Sequence, residues 1–307
     1  MEHFGVKTEV IFVNWNPVPD QTQIIDQIRW PSDRKHVQYK IITVPTPIHE
    51  KFIDPNVRDT VPLFEFIAKN VGIRRAVGEH ILCINADVLI HPRIIKFVAS
   101  GKLKTDTYYR ADRWDYASVE TLSLENLYEK GIMLFMKGFR YDLEGVVFKR
   151  TYHSALKILN RARLFWNLWK ERHTSISNRY GFNVVYDNGG YIAHCHASGD
   201  FMLMTKENWF LFRAYPEYTS ISTHTDSLFT ILVYSRLKER VFCDPVFHQA
   251  HQRRYDWSDI SNNEKFRSAY RLFESTVNLV KEGGAIENSL NPMNWGLQDE
   301  ELIERTF

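Results

Sequence analysis

The stretch from Ala68 to Asp87, Ala-Lys-Asn-Val-Gly-Ile-Arg-Arg-Ala-Val-Gly-Glu-His-Ile-Leu-Cys-Ile-Asn-Ala-Asp, constrains the fold more than any other part of the chain. Its first half sets apolar residues at helical spacing beside Lys69, Arg74 and Arg75. Its second half is a short apolar run, Ile81-Leu-Cys-Ile84, bounded by Gly78 and Glu79 before it and by Asn85 and Asp87 after it, which predicts a strand. A strand apolar on both faces is usually central in an α/β sheet. Ligands of such sheets gather beyond the carboxyl ends of the strands, so Asn85 and Asp87 fall where a ligand is expected. The same Asp can also serve as a turn former ahead of a helix opened by Pro92, and spacing does not separate the two roles.

The rest of the first third keeps the same rhythm. Thr8–Val13 predicts a strand that stops at Asn14-Trp-Asn-Pro17, with Pro17 holding Asn16 extended. Residues 21–28 predict a short helix, and Val37–Val44 a second strand closed by Pro45 and Pro47. A helix over 61–77, the strand at 81, a helix near 94–99 and a strand at 107–110 complete a doubly wound α/β pattern, a Rossmann-like, mostly parallel sheet flanked by helices. The middle third, 116–190, breaks this rhythm and is expected to be an inserted helical or irregular segment. It holds a basic, Trp- and Leu-rich helix over 152–172 that fits either a packed surface or a lipid interface. Helices at 206–212 and 226–237, a strand near 240–243 and a polar helix at 263–281, ended by Glu282-Gly-Gly284, fill the remainder.

Composition excludes several classes. With 307 residues and 44% hydrophobic content the chain can bury a large core, and no repeat divides it, so one domain over 1–307 is expected. A net charge of +2 and no dense run of Lys and Arg give no support to nucleic-acid binding. Cys83, Cys195 and Cys243 have neither metal-ligand nor disulfide spacing, which suits a reducing compartment. No signal-peptide core is present and no window reaches the roughly 20 apolar residues of a membrane span. The expectation is a cytoplasmic protein, soluble or attached peripherally through 152–172.

Three later clusters carry chemistry-bearing residues. His194-Cys-His-Ala-Ser-Gly-Asp200 predicts a turn able to present the Gly199 amide and the Asp200 carboxylate, with Trp209 at the start of the next helix. The polar loop from Tyr215 ends at His224-Thr-Asp226, where Asp226 is either a helix cap or a site carboxylate. His248 and His251, three apart beyond a strand, form a pair of the kind that is more often structural than metal-binding.

In this order the motifs resemble GT-A-fold glycosyltransferases of the family-2 type, which move a sugar from a nucleotide diphosphate. Phe12-Val-Asn-Trp-Asn-Pro17 resembles the first nucleotide-binding strand, Ala68–Arg75 the helix lining base and phosphates, and Asn85-Ala-Asp87 the Asp-x-Asp metal motif. Arg110-Ala-Asp-Arg113 resembles the donor-sugar strand, and Gly199-Asp-Phe the acceptor-side turn. His224-Thr-Asp226 resembles the position of the catalytic carboxylate, Val246–His251 that of the late metal histidine, and Asn294-Trp-Gly296 a recurrent ending in bacterial members. Two features depart from the family: Asn85 replaces the first carboxylate, and no acidic residue precedes Asp226.

The resemblance implies a GT-A fold with a nucleotide-sugar half over 1–115 and an acceptor-binding and catalytic half over 191–307. It implies donor contacts from Asn14, Asn16, Asn70, Arg74, Asn85, Ala86, Asp87, Arg110 and Arg113, and acceptor contacts from Gly199, Asp200 and Trp209. Asp87 with His248 or His251 would hold Mn2+ or Mg2+ against a donor diphosphate, UDP-sugars being the usual choice. Arg75 would add to the positive field, and Asp226 would be the general base of an inverting transfer to a glycan or other hydroxyl. A sugar nucleotidyltransferase fits less well, because no Gly-rich, Lys-containing phosphate loop follows the first strand. A metal-dependent hydrolase would need a denser His/Asp cluster. A non-catalytic carbohydrate-binding protein is the alternative of a different class, drawn from the 14% aromatic content and from Trp114, Trp209 and Trp257.

Overall fold

A computed structural model describes residues 1–18, 20–31, 33–53, 62–115, 137–138, 141–142, 184–187, 190–195, 197–219, 224–248 and 264–307. The expected helix over 152–172, His251 and Trp257 lie outside the described residues. In chain order the elements begin with strand β1 (Thr8–Trp15), helix α1 (Ile24–Gln27), β2 (Val37–Val44), α2 (Thr46–Glu50), α3 (Glu65–Arg75) and β3 (His80–Ile84). Next come β4 (Val88–Ile90), α4 (Pro92–Val98) and β5 (Thr107–Asp115), then two short hairpins, β6 (Lys137–Gly138) with β7 (Tyr141–Asp142) and β8 (Val184–Asp187) with β9 (Gly190–His194). The chain closes with β10 (Phe201–Thr205), α5 (Lys206–Leu211), α6 (Thr225–Tyr234), β11 (Lys238–His248), α7 (Glu264–Lys281) and β12 (Ile303–Thr306).

The protein is mixed α/β. β1–β2 and β5–β11 pair parallel, whereas β2–β12, β5–β10 and β4–β11 pair antiparallel, so the expectation of a mostly parallel sheet is corrected. The chain divides into two compact units, one of Met1–Ile81, Thr205–Thr225 and Glu264–Phe307 and the other of Leu82–Met204 and Asp226–Asn263. Among the described residues no helix is long and apolar enough to cross a membrane.

The first unit is built on the order β1-β2-β12, with β1 and β2 in register from Thr8 opposite Val37 to Trp15 opposite Val44. Helix α3 lies on β1 with Gly72 against the strand, where a methyl would stand a tight 3.3 Å from the Val13 side chain. Ile67, Ala68 and Val71 of α3 close over Ile42 and Val44, together with Trp15, Ile48 and Phe64. The prolines at 45 and 47 do not simply end β2. Pro47 sits in the first turn of α2, where no amide donor is needed. Asn16 has φ of 49°, left-handed rather than extended, a conformation Asn tolerates better than most residues. The predicted helix over 61–77 is shorter, because Phe64 and Ala76 are non-helical at its ends. α7 ends as its glycines foretold, with Gly283 left-handed at φ of 65° and the Gly284 amide bonded back to Leu279.

The second unit carries the sheet order β3-β10-β5-β11-β4. β3 stands at one end of that order rather than at its centre, with Ile81 and Cys83 buried and the alternate residues only partly so. The core on one face joins Tyr109 and Ala111 of β5, Phe201 and Leu203 of β10, Phe242 and Val246 of β11, and Ile94 of α4. β11 runs on through Pro245 to His248, far beyond the expected end at Cys243, because its ladder with β5 shifts register between Phe242 and Val246. The shifted segment is tied to α4 by a hydrogen bond from Arg93 Nη1 to Asp244 Oδ1 at 3.3 Å.

Candidate functional site

In the second unit, β5 and β11 are parallel and end side by side, with His248 opposite Asp115. The antiparallel neighbours β4 and β10 begin at that end, so the residues preceding them, Asp87 and Asp200, reach the same rim. Asn85 to Asp87 make the turn from β3 into β4, held by the Val88 amide donating to the Asn85 carbonyl, and Ala86 is exposed at its tip.

Three sets of contacts gather the predicted residues there. Asn85 Nδ2 donates to Asp200 Oδ1 at 2.6 Å and Arg113 Nη1 donates to Asp200 Oδ2 at 2.8 Å, so one nearly buried carboxylate is held from both sides. Asp226 Oδ2 accepts from Ser198 Oγ at 2.9 Å and from the Gly199 amide at 2.8 Å. His248 Nε2 stands 3.2 Å from Asp87 Oδ2, with the imidazole mostly buried and the carboxylate about a third exposed (36%). Asn85 and Asp87 share one turn and Gly199 and Asp200 are consecutive, so the three sets form one polar cluster.

Asp226 is therefore more than a helix cap. Its carboxylate fixes the turn from Ala197 to Asp200, which a further bond from the Asp200 amide to the Ala197 carbonyl closes. The Gly199 amide, expected to face an acceptor, is spent on Asp226. Asn85 acts through its amide nitrogen. A carboxylate at this position would face Asp200 across 2.6 Å, which gives a physical reason for the departure from Asp-x-Asp.

A hard divalent cation sets a geometric requirement on its donors. Two ligands at right angles around an octahedral ion with bonds of about 2.1 Å stand about 3.0 Å apart. The observed Asp87 to His248 separation of 3.2 Å suits such a pair. Among the described residues no group of three or more His, Cys, Asp or Glu side chains forms a metal cluster.

Several expected contacts are corrected. Arg110 is fully buried, and its Nε and Nη1 donate to the carbonyls of His194 and Ser198 at 3.4 Å, so it supports the turn from within instead of meeting a donor sugar. In the first unit Trp209 is fully buried, gives its indole N–H to the Ile81 carbonyl at 3.1 Å and packs on Tyr215, so it is core and not an acceptor platform. Asn70 spends its amide on the backbone of Tyr215 and on Glu217. Arg74 bonds Gln298 and the Met293 carbonyl while its guanidinium lies 3.9 Å from the Trp295 ring centre. Arg75 holds the carbonyls of Gly296, Leu297 and Glu300. These two arginines anchor the C-terminal segment. Asn16 Oδ1 accepts from Thr46 Oγ1 at 2.8 Å.

Asn14 lines a cleft of about 430 Å3 at the carboxyl end of the parallel pair β1–β2, with Val18, Gln23, Thr43, Ile303 and Arg305. Sequence reasoning passed over Ser198, Tyr108 and Glu239. No local signal marks them: Glu239 stands between Lys238 and Arg240 at the start of its strand, and Tyr108 between Thr107 and Tyr109. Compared with known proteins, the chain matches no family model and no curated sequence.

Proposed function

We propose that this protein is a GT-A-type glycosyltransferase that moves a sugar from a nucleotide diphosphate, a UDP-sugar by resemblance, to an acceptor hydroxyl. The observation that carries the reading is the pairing of Asp87 with His248 at the carboxyl ends of β5 and β11. Asp87 and His248 would hold a divalent cation, Mn2+ or Mg2+, which offsets charge on the departing diphosphate. Arg113 and Asn85 hold Asp200 fixed at the rim, where a carboxylate can accept hydrogen bonds from sugar hydroxyls. Asp226, whose Oδ2 holds the turn, takes the acceptor proton on Oδ1 as the hydroxyl attacks the anomeric carbon.

Thermal unfolding with a panel of nucleotide diphosphates and nucleotide sugars, with and without Mn2+, tests this. A ligand at one hundred times its dissociation constant adds about 2.7 kcal/mol. Stabilisation by one nucleotide family that Mn2+ enhances and Asp87→Ala abolishes is the expected result. Indifference to every nucleotide would sink the reading, and stabilisation by free sugars alone would mark a carbohydrate-binding protein.

A further inference from the structure

Beneath the Ser198–Asp200 turn lies a pair of opposite charges that no step of the proposed transfer uses. Tyr108 and Arg110 share one face of β5 and are fully buried, and Glu239 of β11 is registered opposite Tyr108. Glu239 Oε1 accepts from the Tyr108 hydroxyl at 2.7 Å and from the His194 amide at 2.9 Å. The His194 carbonyl accepts from Arg110, which also reaches the Ser198 carbonyl. Ser198 and Gly199 hold Asp226, and the next residue is Asp200. A run of hydrogen bonds thus leads from one enclosed carboxyl group to two carboxylates of the rim.

Among the described residues, the charged and titratable groups around Glu239 include Tyr108 and Arg110 from β5, His194 from the end of β9, and Cys195 after it, which couples in turn to Asp226 of α6. Its strand neighbours turn elsewhere, Lys238 to Asp106 and Arg240 over the Phe97 ring. Burial pushes the Glu239 carboxyl up to about 7, against the pull of the His194 and Tyr108 donors and of the Arg110 charge. Ionised, the group makes charge-assisted bonds and balances Arg110. Protonated, it leaves that buried cation without its counter-charge.

We propose that Glu239 is a positioning residue that locks the Ser198–Asp200 turn when ionised and slackens it on taking up a proton. The site would then be set above neutral pH and loosened in mild acid. Its bearing on sugar transfer rests on the function proposed above, whereas the holding of the turn does not.

Amide 1H–15N spectra of the labelled full chain, recorded without nucleotide or metal between about pH 5.5 and about pH 8.5, test it across the range where this carboxyl changes charge. The His194 and Gly199 amides should move together with one midpoint near the Glu239 value. In Glu239→Gln that transition should be lost while the spectrum stays dispersed. A transition that persists in the variant, or one felt by His194 but not by Gly199, would overturn the proposal. Should Glu239→Gln fail to fold, Glu239→Asp decides: a displaced midpoint supports the proposal and an unmoved one refutes it. Because no ligand is present, a negative result leaves the metal reading standing, and a failure to bind Mn2+ leaves this one standing.

Discussion

At position 85 an amide stands where the Asp-x-Asp pattern has an acid, and its nitrogen is bonded to Asp200. Restoring the pattern by Asn85→Asp should therefore damage the protein. Two carboxylates would share the contact, and the expected loss is about 2–3 kcal/mol at neutral pH, the size of a buried polar group left unpaired, with part of it recovered as acid protonates one partner. Thermal unfolding across pH measures this, and a stabilised variant would contradict the assignment. Trp209 gives a second contrast. As a core residue, Trp209→Ala should cost about 3–5 kcal/mol of stability, far more than an exposed sugar platform would. An unchanged melting temperature with weakened acceptor binding would return Trp209 to the acceptor side.

The C-terminal segment shows how a side-chain network fixes an element that has little regular structure. Gly296 has φ of 66°, gives its amide to Glu217 and lies so close to α3 that a Cβ would meet the Asn70 carbonyl oxygen at 2.8 Å. Gly296→Ala combines a left-handed backbone with that clash and should lower stability by about 2 kcal/mol or more, measurable by denaturant unfolding. Strands and helices with a clear period were legible in the sequence: β2 matches its expected residues, and α5, α6 and α7 lie within a few residues of theirs. α2 was not, because Pro45 and Pro47 read as breakers when one of them suits a helical first turn. β4 and β12 are too short to show a period, and only pairing with β11 and β2 makes them strands. The rim cluster was legible as residue types, since Asn85, Asp87, Arg113, Asp200, Asp226 and His248 were all singled out. Their partners were not, because hydrogen bonds between residues 27 to 115 positions apart leave no local trace, as with Asn85 and Asp200.

At the scale of the molecule, the buried His49 and the partly buried Glu239 give stability opposite dependences on pH. His49 accepts the Trp15 indole N–H on Nδ1 at 2.9 Å, and burial lowers its pKa from 6.5, so its contribution is present above the unfolded value and is lost as pH falls below it. Glu239 is raised from 4.5 to about 7, so the folded state binds the extra proton between these values, and its burial costs stability as pH rises through them. Glu239→Gln should therefore gain on the wild type from pH 5 to pH 7, by an amount on the order of 2 kcal/mol, and hold a constant difference above. Melting temperatures of both proteins over that span check the sign, and a difference independent of pH would show that Glu239 does not titrate there. The register shift in β11 carries a different kind of consequence. Were the ladder regular, Val246 would stand opposite Asp115 and His248 would overshoot the last pairing by two residues, about 7 Å. The slack taken up between Phe242 and Val246 works as a gauge that sets how far the histidine protrudes. A change confined to residues 243–245 could thus disarm the Asp87–His248 pair without altering a single atom of it, while removing the two surplus residues would leave the imidazole in place.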